Sequence, residues 1–304
     1  MPQPQQSYNL KNMVAGLGNL YDGYLAGTFP PGINDNSIWY VDSNLSASKD
    51  GLSWDTAFIT VQEAITANNA LVDWSATPML YGVIYVAPGV YDENLTPAYY
   101  CHIIGTGIRG TDTSAEIHPT TGSCLTGTLL GARLINLRFE VNEAVDCLNI
   151  GICNNSEIAH CVFTNGAAVA ATALSTDNCT HLHFHHNYVE SGQTTGMKHG
   201  LYFQGGANKY AHNIHVHDNS IVTTDTGVYI AGGCTASEAR IGPFNMIRCS
   251  GGSSKGVDDN HGGSIVYGNW IRAIDAIEHA GGASFTIGNS VVNNATGAKE
   301  TSGS

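Results

Sequence analysis

Seven apolar residues, Phe139, Phe163, Val189, Ile221, Ile247, Ile271 and Val291, recur at steps of 24, 26, 32, 26, 24 and 20 residues. From Val189 onward an Asn stands two positions before each of them: Asn187, Asn219, Asn245, Asn269 and Asn289. The surrounding segments are LINLRF (134–139), EIAHCVF (157–163), HFHHNYV (183–189), HVHDNSI (215–221), PFNMI (243–247), VYGNWI (266–271) and TIGNSVV (286–292). A 20–30-residue repeat of strands and turns, with no helical period inside it, is what one coil of a parallel β-helix needs. A single coil cannot bury its apolar face; stacking on the next coil does so. Helical repeats lack this composition, and propeller blades of roughly 40–50 residues are too long. The Asn reads as a turn residue that tolerates left-handed backbone, with an amide able to hydrogen-bond from coil to coil. The phasing is loosest at PFNMI, because Arg240 falls where an apolar residue is expected.

Upstream of the repeats the elements are of other kinds. Ser37–Val41 reads as a strand, Lys49-Asp50-Gly51 as a turn, and Phe58, Val61, Ala64 and Ile65 as one face of a short amphipathic helix near 57–68. Gly82-Val-Ile-Tyr-Val-Ala-Pro-Gly reads as a buried strand closed by a breaker. Such a helix belongs at the N-terminal end of the coils, where an open stack would expose apolar side chains and unpaired edges. The reading is all-β: an N-terminal arm (1–36), a single right-handed parallel β-helix with its capping helix (37–295), and a polar tail (296–304).

YVDSNLSASKDGLSWDTAFITVQEAI, then IYVAPGVYDENL, then CHIIGTG, resembles the opening of pectin-lyase-like right-handed parallel β-helix proteins. The resemblance covers about residues 37–295 and implies the fold. Carbohydrate-active enzymes, surface proteins and virion proteins of tailed bacteriophages share such an opening. The short arm, the lack of a basic-then-apolar start and the Gly/Asn/Thr-rich coils are most similar to the phage proteins. The implied function is a non-enzymatic capsid decoration (cement) protein, made in the host cytoplasm and located in the virion. Its implied partners are the major capsid protein and two further copies of itself in a homotrimer. The alternative is a tail fibre or tailspike that binds or cleaves a host surface polysaccharide.

Charge and cysteine content narrow the classes further. Twelve Lys+Arg against 25 Asp+Glu give a net charge of −13, which lacks the basic footprint of a nucleic-acid binder. No apolar run approaches the ~20 residues of a membrane span. The eight cysteines show no C-x-x-C spacing and read as buried free thiols.

Candidate chemistry is sparse. Asp258-Asp259-Asn260-His261-Gly262-Gly263 has the residue types of a polygalacturonase-like site, but run together rather than spread over successive coils, and reads as a polar loop. Lys198, His199 and Asp225 are groove candidates that nothing in the sequence orients. With Asn187 set over Asn219, His183 falls over His215 and His185 over His217, all pointing outward. The sequence reads them as an exposed ladder rather than a metal site, because no carboxylate is evident at their level and structural zinc takes four ligands. No catalytic, cofactor or metal residue is assigned. In the arm, Leu10, Met13, Val14, Leu17, Leu20 and Tyr21 form an apolar stripe at helical spacing, the candidate capsid anchor. A helix that short needs something to pack on.

Overall fold

The computed structural model describes residues 38–71, 82–97, 99–109, 113–166, 170–190, 196–233, 236–279, 284–293 and 299–302. The arm, including its apolar stripe, lies outside the described residues. From Ile38 onward the chain winds as a parallel β-helix whose strands form one 15-stranded and one 10-stranded sheet. In the 10-stranded sheet all strands run parallel except the last, Lys299–Ser302, which returns antiparallel along Asn289–Asn293.

The 15-stranded sheet covers two faces, because its longest strands turn a corner. Asp146–Ala159 and Ala171–His185 bend at Asn155 and His181, both at positive φ (49° and 56°). Leu125–Leu130 and Met197–Phe203 pair with them before the bend and Arg133–Ile135 after it, while Tyr210–His217 follows the corner, pairing with Asn178, Cys179 and Thr180 before it and with His183, Phe184 and His185 after it. The half before the bend is here called the groove face and the half after it the histidine face.

The repeat period read from the sequence is the register of the stack. Phe139, Phe163, Val189, Ile221, Ile247, Ile271 and Val291 pair consecutively, one per coil, and all are buried. Phe139, Phe163 and Phe184 stack face to face inside the helix, with neighbouring ring centroids 5.3 and 5.8 Å apart. Arg240, out of place in the sequence phasing, points outward between His215 and Ile265, while its neighbours Ala239 and Ile241 fill the interior.

The repeated Asn behaves differently from expectation in one respect. The left-handed residue of each corner is the one before it: His186, Asp218, Phe244, Gly268 and Gly288, with φ between 54° and 62°. The Asn itself is buried and bonds along the stack. Asn187, Asn219, Asn245 and Asn269 donate their backbone N–H to Oδ1 of the next Asn at 2.9–3.2 Å. Each side-chain amide donates back to a carbonyl, those of Asn219 and Asn245 to Phe184 and Val216. An Asn amide offers both a donor and an acceptor, so one residue type closes a corner that would otherwise bury unpaired backbone groups.

The capping helix runs Val61–Leu71, starting four residues later than the periodicity suggests. Phe58 instead bridges to Val41 as a strand residue. The start is set by a reciprocal cap: Glu63 N–H donates to Thr60 Oγ1 and Thr60 N–H to Glu63 Oε2, each at 3.2 Å. Glu93 accepts the next two helical N–H groups, from Val61 at 2.7 Å and Gln62 at 2.9 Å. Val61, Ala64 and Ile65 are fully buried in the core that includes Trp39, Val41 and Ile84, closing the N-terminal end of the stack. Seven cysteines, Cys101, Cys124, Cys147, Cys153, Cys161, Cys179 and Cys249, are buried free thiols, as expected.

Candidate functional site

On the groove face two outward rows run side by side across successive coils. One row is His199, Thr226, Lys255 and Asp275; the other is Tyr202, Tyr229, Asp258 and Glu278. They border a groove of about 440 Å³ that Lys198, Asp225 and Ser253 also line. The structure therefore brings together Lys198, His199 and Asp225, which the sequence could not orient. The sequence reading missed Tyr202, Tyr229 and Lys255, whose register across this face is hidden by coils of unequal length.

The tyrosine rings stack with centroids 5.1 Å apart and planes 12° from parallel, and His199 stacks on Tyr229 at 5.8 Å. His199 Nε2 is 4.0 Å from Asp225 Oδ2. Burial pulls the His199 imidazole down to about 4, despite the opposing charge of Asp225, so it is neutral at pH 7. Lys255 Nζ is 2.8 Å from Asp258 Oδ2 and 2.6 Å from Glu278 Oε2. Burial raises the Asp258 carboxyl above its ordinary range, with Lys255 working against that rise. Although burial disfavours the ammonium, its two carboxylate partners hold Lys255 well above the usual lysine value. Because the two tyrosines stack on each other, the faces they share are covered, and the groove is bordered by a closed aromatic stack, a neutral imidazole and a clamped ammonium. Such a groove suits a polar ligand that hydrogen-bonds to its hydroxyls and charged groups.

Asp258 and Asp259 do not act as a pair. Adjacent residues of a strand face opposite sides, so Asp258 points to the groove and Asp259 to the interior register, between Ile230 and His279. Fully buried, Asp259 accepts hydrogen bonds from the N–H groups of His261, Gly262 and Ser264 at 3.2, 2.8 and 3.2 Å, and from Ser284 Oγ at 3.1 Å. Its carboxylate holds the 260–264 loop; the polar-loop reading holds for that loop alone, since Asp258 and Asp259 are buried residues at the end of the strand Lys255–Asp259.

The histidine face carries the predicted ladder. His183 pairs with His215 and His185 with His217, their rings stacked at 4.9 Å in both cases. The sequence reading missed Glu157, which occupies the position of His183 one coil earlier. Counting six residues back from Phe163 and from Val189 would have found it. Glu157 Oε1 lies 2.9 Å from His185 Nε2, and Glu157 Oε2 lies 3.0 Å from Arg133 Nε. His185 Nδ1 in turn lies 2.9 Å from His186 Nδ1. Burial, ahead of the opposing pull of Glu157, holds the His185 imidazole below its ordinary range.

A third cluster, Glu116, His118 and Glu140, places three ligand atoms within 4.8 Å of one another on the 10-stranded sheet. Both carboxylates are already engaged by Arg138, at 3.3 Å from Glu116 and 2.6 Å from Glu140. That guanidinium supplies the positive charge a cation would bring. No protein-family model, no curated protein and no solved structure matches this chain.

Proposed function

We propose that this chain is a non-enzymatic structural protein of a tailed-bacteriophage particle, a homotrimeric decoration protein that seats on the head through residues 1–36. The proposal rests on the resemblance of the chain over about residues 37–295 to pectin-lyase-like β-helix proteins, and on the short arm and Gly/Asn/Thr-rich coils, which are most similar to the phage proteins among them. The observation that carries its non-enzymatic part is Asp259, whose carboxylate is spent on three backbone N–H groups and a hydroxyl. Asp258 and Asp259 therefore cannot serve together as the two carboxylates that glycoside hydrolysis needs facing a common substrate. The solenoid is a rigid body with a covered end, and the first strand, Ile38–Val41, lies at that end beside the capping helix. Residues 1–37 therefore join the β-helix at its capped end, the place for an anchor that leaves the coils projecting outward.

The test is particle occupancy of a chain lacking residues 1–30. Loss of binding with an intact, trimeric β-helix supports the proposal; unchanged occupancy overturns it. The groove favours a second reading, a tail-fibre-type glycan binder, because the Tyr202–Tyr229 stack lies in one polar groove with Lys198, Asp225, Lys255 and Asp258, groups able to hydrogen-bond sugar hydroxyls. Glycan-array binding lost on Tyr229→Ala would favour it. Reproducible glycan cleavage abolished by Asp258→Asn would replace both readings with an enzyme.

A further inference from the structure

The histidine face holds a second arrangement that the proposed function does not use. At the corner where Ala171–His185 ends, His185 and His186 bring their Nδ1 atoms to 2.9 Å. Two imidazole nitrogens that close must share one proton or one cation. The tautomer follows from the neighbours. Glu157, itself held by Arg133, accepts from His185 Nε2, so in the neutral ring the proton sits on Nε2 and the Nδ1 lone pair faces His186. A carboxylate that fixes one nitrogen of an imidazole and leaves the other as a lone pair is the support that metal-ligating histidines commonly have.

We propose that His185 Nδ1 and His186 Nδ1 form a binding site for a divalent transition-metal cation of the nitrogen-preferring class, Ni²⁺ or Cu²⁺, which displaces the proton they share. Two nitrogens at about 2.0–2.1 Å from a cation, set at right angles, lie about 2.9 Å apart, with the cation off the line that joins them, so binding turns each lone pair by about 45° from the hydrogen-bonded direction. Square and octahedral ions offer such angles, whereas tetrahedral coordination asks for about 3.3 Å. Water fills the remaining positions, since the site opens to solvent: His186 is exposed. His160 stacks on His186 at 4.9 Å and limits its rotation. The carboxylates of Glu157 and of Asp218, which pairs with His217, favour a cation here; Arg109, which donates to the His186 carbonyl, opposes it. The neighbouring His183–His215 pair lacks this geometry. Its rings are parallel and 4.9 Å apart, so matching nitrogens are too far apart for one cation to reach both without rotation.

The site is testable on the full, untagged chain by calorimetric titration with NiCl₂ and with CuSO₄ at pH 7.5. His186→Asn removes the imidazole and keeps the corner, because Asn136 occupies the same left-handed position two coils earlier with φ of 56°. One cation per chain is expected, with affinity weakened at least tenfold in His186→Asn and severalfold in Glu157→Gln. His183→Asn, the control, should stay within twofold of the parent. Equal affinity in His186→Asn, or an equal loss in His183→Asn, overturns the proposal. Circular dichroism of each variant separates loss of the site from loss of the fold.

Discussion

Replacing Asn245 by Ala tests the corner ladder at its most connected point. Asn245 Oδ1 accepts from the Asn219 N–H at 3.1 Å and from Asn219 Nδ2 at 2.9 Å; its own Nδ2 donates to the Val216 carbonyl and to Asn269 Oδ1, both at 2.9 Å. The substitution removes all four bonds, but their costs differ. Val216 O still accepts from Gly242, Asn219 Nδ2 still donates to Phe184 and His217, and Asn269 Oδ1 still accepts from the Asn245 N–H. Only the Asn219 N–H is left buried without its acceptor, at about 1–3 kcal/mol, while each of the other losses costs about 0.5–1 kcal/mol. The expected destabilisation is about 2.5–6 kcal/mol, read as a lower guanidinium midpoint at unchanged slope. Hydrogen exchange gives the local readout: the Asn219 amide should lose protection more than its neighbours. Ser220→Ala, next to Asn219 in the preceding coil, is the control. Ser220 Oγ is buried without a hydrogen-bond partner, so its loss should change stability by less than about 0.5 kcal/mol. A cost below about 1 kcal/mol for Asn245→Ala, or no change in Asn219 exchange, would refute the reasoning.

His102 and His199 are both pulled down to about 4, in each case chiefly by burial. The unfolded chain binds protons at these sites from about pH 6.5 downward and the folded one does not. Their contribution is therefore complete above pH 6.5 and lost progressively toward pH 4, roughly 3 kcal/mol per group at the limit. Stability measured across that window should fall with acidification, and NMR titration should find both imidazoles still neutral at pH 5. Burial likewise pushes the thiols of Cys161 and Cys249 up, to about 12 and about 11. A thiol-labelling reagent should leave the seven described cysteines unmodified until the chain unfolds, and fast labelling of any of them in the folded protein would contradict their burial.

The coil stack was legible because its signal is periodic. One buried residue per turn, joined from Val189 onward by an Asn two positions before it, is enough to set the register of Phe139 through Val291. The helix start was present as Thr60-Val-Gln-Glu63, a reciprocal cap visible in four letters, but the apolar stripe was followed one turn too far upstream to Phe58. The Asn was correctly read as a ladder and wrongly as the left-handed residue. Both roles occur at the same corner, and only backbone angles tell them apart. The groove was not legible, because His199, Asp225 and Asp258 meet through coils of unequal length. Glu157 could have been found by counting, yet its reach to His185 depends on a side-chain direction that no pattern encodes.

The corner Asn residues all fasten in one direction. Asn187 grips the coil containing Cys161, Asn219 grips that of Asn187, and so on to Asn289, which grips that of Asn269. Each coil is thus held by the one that follows it, like courses of roof tile laid from one eave. Removing coils from the N-terminal side, with the capping helix transplanted, would leave every remaining Asn-bearing coil fastened up to that of Asn269. Removing them from the C-terminal side would strip the acceptor from whichever corner became last, so the solenoid has a side from which it can be shortened and a side from which it frays.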